Sequence, residues 1–186
     1  FHLSPEQVAI QDAVRGTLAD AWPMERLHAF ADGDDDFDQP SWDALMALGL
    51  GSIMLPDSGM GLLDAALVCE VAGEAAAPGP LAGQLLAVAA VARSANPASK
   101  THLDALTCGS VVATLALGDS AHVPCARAAR FFLTGSRDGA LSLAEAGAGV
   151  TIEAVTATDR SRPVSRVSFE DATTIELFPA GDPFIA

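Results

Sequence analysis

Apolar and polar positions follow one rhythm up to about residue 110 and another after it. In the first stretch apolar side chains recur every three or four positions, the period of a helix with one buried face. Ile10, Val14 and Leu18 make such a stripe. Ahead of it, Ser4, Pro5 and Gln7 fit an N-cap, a first-turn proline and a capping-box partner. A short second helix is expected around Met24, Leu27 and His28. The third, capped by Asp38 or Ser41, sets Trp42, Leu45, Met46 and Gly49 on one face, and Gly49 and Gly51 let the chain turn out of it. After Leu55-Pro56 and a short loop, a helix over Leu62 to Gly73 shows Leu63, Ala66, Leu67 and Glu70 at helical spacing. Pro78-Gly79-Pro80 separates it from an apolar helix over Leu81 to about Arg93, and Asn96-Pro97 precedes a last one from Ser99 to Cys108-Gly109.

From Ser110 the runs shorten and lose the helical period. Strands are expected around Val111 to Leu117, Phe131 to Leu133, Gly139 to Leu143, Val150 to Ile152, Val164 to Phe169 and Thr173 to Phe178. Short strands between turn residues suggest an antiparallel sheet or partial barrel. The expected fold class is α+β with two domains: a helical domain over residues 1–109 and a β domain over 110–186.

Charge narrows the partners. Acidic residues outnumber Lys and Arg by 24 to 10, a formal net charge of −14. Such a surface repels nucleic-acid backbones and anionic lipids, so neither is an expected partner. The most apolar stretch, Ala75 to Val91, is interrupted by Pro78, Gly79, Pro80, Gly83 and Gln84, and reads as a turn and a buried helix instead of a membrane span. Asp32 to Asp38 is the densest acidic segment; without the spaced ligands of a calcium loop it reads as a solvated loop. Cys69, Cys108 and Cys125 include no CxxC pair and fit free thiols in a reducing cytoplasm. No secretory signal pattern opens the sequence, and a cytoplasmic location is expected.

Motifs for common chemistries are missing: there is no phosphate loop, nucleophile elbow or zinc-protease signature. His2, His28, His102 and His122 lack metal-ligand spacing, so no metal site is expected. Arg127, two positions after Cys125, is a cation that lowers a thiol pKa when it lies beside one; packing is the simpler role for that cysteine.

A set of weak features in a fixed order adds more. Trp42, Leu45, Gly49-Leu50, Leu55-Pro56, Gly59-Met60-Gly61, Asp64-Ala65-Ala66, Glu70, Gly73-Glu74 and Pro78-Gly79-Pro80-Leu81 follow one another as in the N-terminal domain of the acyl-CoA dehydrogenases. Asp159-Arg160-Ser161-Arg162-Pro163 and Val167-Ser168-Phe169-Glu170-Asp171-Ala172 look like the end of that family's middle β domain. The resemblance implies an FAD enzyme that desaturates an acyl-CoA thioester, a glutamate taking the α proton and the flavin the β hydride. By the same resemblance, Leu115, Leu117 and Gly118 fall where a family strand touches flavin and substrate. Gly118 stands at the place of a hydroxyl donor, and the hairpin that follows in the family has no counterpart. Read by itself, the segment is equally an ordinary core strand.

The family's catalytic glutamate belongs to a C-terminal helical bundle that these 186 residues do not include, so the base is expected outside them. Glu145, Glu153, Glu170 and Glu176 read as surface acids. Two roles fit: a subunit of an FAD-dependent acyl-CoA dehydrogenase, homo- or hetero-oligomeric, or a flavin-free structural partner of a catalytic homologue. Some members of the family form heteromers, notably in bacterial breakdown of steroid side chains.

Overall fold

The computed structural model describes residues 2–117, 122–136 and 138–183. Seven α-helices come first: α1 (Pro5–Ala21), α2 (Met24–Asp32), α3 (Gln39–Ala47), α4 (Leu62–Glu74), α5 (Leu81–Arg93), α6 (Pro97–Lys100) and α7 (Leu103–Thr107). The strands are β1 (Ala113–Leu115), β2 (Val123–Pro124), β3 (Phe131–Gly135), β4 (Leu141–Glu145), β5 (Val150–Val155), β6 (Val164–Phe169) and β7 (Thr174–Phe178).

The helix starts follow their local chemistry. Ser4 accepts from the Gln7 amide at 3.2 Å, and the Gln7 side chain accepts from the Ser4 amide at 3.0 Å, so the capping box closes. Asp38 caps α3 by accepting from the Ser41 amide at 2.9 Å. Three expectations need correction. The helix expected from Ser99 to Cys108 is two short ones, the first capped by Asn96. The strand expected over Val111 to Leu117 is confined to Ala113–Leu115. The buried face of α4 is Ala65, Val68, Val71 and Ala72, whereas Leu63, Ala66 and Glu70 are exposed. An apolar helix that buries its small residues gives a poor phase signal, because the bulky Leu62 and Leu63 sit at its exposed start.

The strands form two sheets, neither a closed barrel. One has the order β1-β3-β4-β7 and the other β2-β6-β5. All pairings are antiparallel except β1 with β3, which is parallel and matches Leu115 to Leu133. Alternate residues of the first sheet serve two cores, as side chains on a pleated strand must. Phe131, Leu133 and Leu143 pack with Val88 and Val91 of α5 and Leu106 of α7. Phe132 and Ala144 face the second sheet and meet Val123 and Val167. A third core holds α1, α3 and α4 together around the fully buried Trp42.

Helix α5 is the hinge of this arrangement. Gly83 lies so close to β1 that a Cβ there would sit 3.0 Å from both the Leu115 nitrogen and the Thr114 Cα. The next residue, Gln84, is fully buried. Its Nε2 donates to the carbonyls of Leu106 (2.6 Å) and Val111 (2.9 Å), and its Oε1 accepts from the Ala113 amide at 2.6 Å. One side chain thus satisfies three backbone groups where the helices hand over to the strands. At the far end of α5, Ser94 donates to the Leu177 carbonyl at 2.9 Å, and Asn96 donates to the Glu176 carbonyl at 2.8 Å.

Candidate functional site

A cavity of about 500 Å³ opens where α3, α4 and the start of α5 meet the ends of β1, β2 and β6. Each wall has a local cause. The indole of Trp42 donates to the Gly109 carbonyl at 2.9 Å and packs on Phe37, which fixes the ring as a floor. Pro78-Gly79-Pro80 breaks the chain beside it, and a Cβ on Gly79 would lie 3.0 Å from the Trp42 ring. Thr114 and Leu115 close the strand side, and Arg162, Pro163 and Val164 come over from the start of β6. The lining is mostly apolar, with Asp36, His122 and Arg162 among its few polar side chains. A mostly apolar concavity with a few convergent polar groups is the default binding site of a fold.

The strand residues expected to touch a flavin part company here. Leu115 is half-buried and lines the cavity. Leu117 does not line it; its side chain is 56% exposed and lies beside Gly135. Gly118 lies outside the described residues. The hydroxyl nearest this strand end, on Thr114, is fully buried and already donates to the Pro124 carbonyl at 2.9 Å. The described side chains of this strand therefore offer a flavin hydrocarbon contact and no free polar group, a poor fit for the hydrogen-bonding edge of its ring.

The thiols follow the simpler reading of the sequence. Burial, and then the charge of Asp36, push the Cys125 thiol up to about 12, against a weaker opposing hydrogen bond with the Gly79 backbone. Arg127 does not lower it, because that guanidinium is turned to Asp36 (3.5 Å) and the Asp34 carbonyl. Cys69, also in the cavity wall, is raised by burial. Cys108 is exposed and lowered by its hydrogen bond with Ser110, away from the cavity. All three thiols are free, and neither cavity cysteine is poised as a nucleophile at neutral pH.

The acidic segment is exposed at Asp32, Asp34 and Asp35, as expected of a solvated loop, but not at Asp36. Asp36 is 8% exposed and accepts from the Arg127 amide at 3.0 Å as well as facing its guanidinium. Asp32 pairs with Arg160 at 3.2 Å, so the segment ties the helices to the strand half, and Asp36 within it lines the cavity. Charge density alone marked these residues; nothing in their spacing foretold the arginines they meet. Glu145 and Glu153 pair with Arg130 and Arg166 on the sheet surface, away from the cavity. His102 stacks on Phe131 with centroids 4.7 Å apart. Among the described residues, no three His, Cys, Asp or Glu side chains are grouped to hold a metal. No described helix is long and apolar enough to cross a membrane.

Comparison with solved structures gives the architecture its place. A variant of the Tcur3481-Tcur3483 steroid ACAD matches 97% of this chain with a TM-score of 0.83 at 24% sequence identity. The ChsE4-ChsE5 complex of Mycobacterium tuberculosis matches 94% with a TM-score of 0.79 at 19% identity. Butyryl-CoA dehydrogenase of Megasphaera elsdenii matches 99% with a TM-score of 0.72 at 15% identity.

The chain has the acyl-CoA dehydrogenase fold.

It spans 59%, 56% and 61% of those three chains respectively, so the likeness covers a helical portion and a β portion within larger molecules. No family model and no curated protein sequence matches the chain. Within this fold the cavity sits at the junction of the helical and β portions, bounded by the Pro78-Gly79-Pro80 break and the end of β1. The first of these is one of the segments that carry the sequence resemblance.

Proposed function

We propose that this chain is an acyl-CoA dehydrogenase-family subunit, working beside a homologous flavin-bearing subunit in the α,β-desaturation of an acyl-CoA thioester. The observation that carries the reading is the match of 97% of the chain to a steroid ACAD named for two components. The second match is likewise named as a complex. In this reading residues 1–109 and 110–186 are the family's first two domains, and the assembly works in the cytoplasm. Leu115 and Leu117 contribute alkyl contacts near the flavin, and Gly118 follows them in the sequence.

The family's cofactor is FAD, which supplies the hydride acceptor when bound. The described residues at the end of β1 do not complement its polar edge, since Leu115 and Leu117 are hydrocarbon and the Thr114 hydroxyl is committed to Pro124. The chain leaves the hydride step to the flavin-bearing subunit. Its own part in the reaction is to wall the acyl group: Trp42, Leu81, Leu115 and Val164 present an apolar surface that excludes water from the thioester's hydrocarbon part.

The test is to purify the chain alone and co-expressed with a homologous acyl-CoA dehydrogenase subunit, recording the visible spectrum and the mass of every polypeptide. The chain alone is expected to be colourless, and the two-component complex to carry flavin. Stoichiometric flavin on the isolated chain would overturn the assignment of the cofactor to a partner.

A further inference from the structure

Cations on this acidic protein are almost all committed. Six described arginines pair with carboxylates. Arg93 and Lys100 donate to backbone carbonyls. Arg162 stands apart among the described residues, with neither a carboxylate within ion-pair distance nor a hydrogen bond from its guanidinium. Its Nη2 lies 3.8 Å from the position a Cβ on Gly73 would take, so the side chain reaches from the start of β6 towards the last turn of α4 at the cavity wall.

The surrounding charges leave that guanidinium available. Asp36, on the same cavity, is turned to Arg127. Asp159 is close enough to feel Arg162, but one of its carboxylate oxygens accepts from both the amide and the hydroxyl of Ser161, at 3.0 and 2.6 Å. Glu74, at the end of α4, pairs with Arg15 at 3.6 Å. Arg162 is exposed and shares the cavity lining with the apolar side chains of Trp42, Leu45, Leu81, Leu115 and Val164. A volume of about 500 Å³ falls inside the range of about 300–1,000 Å³ that takes drug-sized ligands.

We infer that this cavity binds an amphiphilic anion, its hydrocarbon body seated against Trp42 and Leu115 and its carboxylate or phosphate held by Arg162 at the mouth. Arginine suits the task, since its planar fork meets either oxyanion with two parallel hydrogen bonds. The inference deepens the proposed function by placing the determinant of ligand charge on this chain. It rests on that reading only for the identity of the physiological ligand, because the site is built from residues of this chain.

Isothermal titration of the purified chain with decanoate, decanol and decanoyl-CoA tests it without any flavin or partner. Decanoate or decanoyl-CoA is expected to bind more tightly than decanol. Arg162→Ala should weaken the anions by about fivefold to tenfold, the effect of one charge-assisted contact, and leave decanol unchanged. Arg162→Lys should restore most of the loss, and Leu115→Phe, which fills the cavity, should weaken all three. A loss confined to decanoate identifies a free acid as the ligand, and one confined to decanoyl-CoA identifies the nucleotide phosphates; both support the site. Equal binding of decanol and the anions, no effect of Arg162→Ala, or no binding by any probe overturns it. Flavin stoichiometry is untouched by these outcomes, so the two readings fail separately.

Discussion

The helical and β portions are joined in two places by opposite means. At the centre, Gln84 is fully buried and satisfies three backbone groups at once. At the rim, Asp32 and Asp36 reach to Arg160 and Arg127, whose side chains are half-exposed or more. Removing a partner from a buried network exposes donors and acceptors to a medium that cannot solvate them. Removing the opposing charge at the rim leaves Arg127 and Arg160 solvated, because both guanidiniums are half-exposed or more. The central junction should therefore define how the portions sit, and the rim should only adjust how firmly the acidic segment lies along the cavity.

The largest effect is expected from Gln84→Leu. The substitution keeps side-chain volume but orphans the Ala113 amide and the Val111 carbonyl, while the Leu106 carbonyl keeps only its bond from the Gly109 amide at 3.2 Å. At about 1–3 kcal/mol for each buried group left unmade, the loss should reach about 2 kcal/mol or more. For a chain of this size that lowers the melting temperature by roughly 4–8 °C. Thermal melts followed by circular dichroism measure it. A change smaller than that expected of rim variants would show that the central junction is not the stronger of the two.

Much of the helical portion was legible because its signals are local. Ser4 and Gln7 announce a capping box within four residues, and the pair forms it. Asp38 caps α3 by the same short-range logic. The central junction was not legible, since Gln84 in an apolar run reads as an interruption until β1 is brought beside it. Strands of two or three residues, such as β2 and β1, are too short to display a period of two. The cavity is less legible still. Trp42, Gly79, Leu115 and Arg162 come from four separate segments, and no spacing along the chain says that they converge. Arg162 was visible only as part of a run that resembles a family segment.

Asp38 stands at the base of the acidic segment and sharpens the comparison. Burial pushes its carboxyl up, but hydrogen bonds from Arg26 and from Ser41, together with the Arg26 charge, outweigh that and hold it below the usual range. A carboxylate depressed in the folded state stabilises above its unfolded value of about 3.9 and loses that contribution as pH falls through the lower folded value. Asp38→Ala should cost about 1–2 kcal/mol at neutral pH, from the lost cap and ion pair. The gap between wild type and variant should close as pH drops below about 4. Denaturant unfolding at a series of pH values checks this; a gap that persists in acid would mean that the cap works through packing and not through charge.

The smallest effect belongs to Asp36→Asn. The amide oxygen still accepts from the Arg127 backbone N–H, so only the charge facing the guanidinium is lost. With Arg127 half-exposed, that charge is worth less than about 1 kcal/mol. At about 1 M salt the Debye length shrinks to about 3 Å, and the difference between wild type and variant should narrow further, whereas the Gln84→Leu loss should hold. The same substitution removes one of the two influences that raise the Cys125 thiol, so Cys125 should titrate lower and react faster with a small alkylating reagent. A loss that equals Gln84→Leu and resists salt would make the rim as structural as the centre. A small, salt-sensitive loss with a more reactive Cys125 would confirm that the acidic segment tunes the cavity edge without holding the fold together.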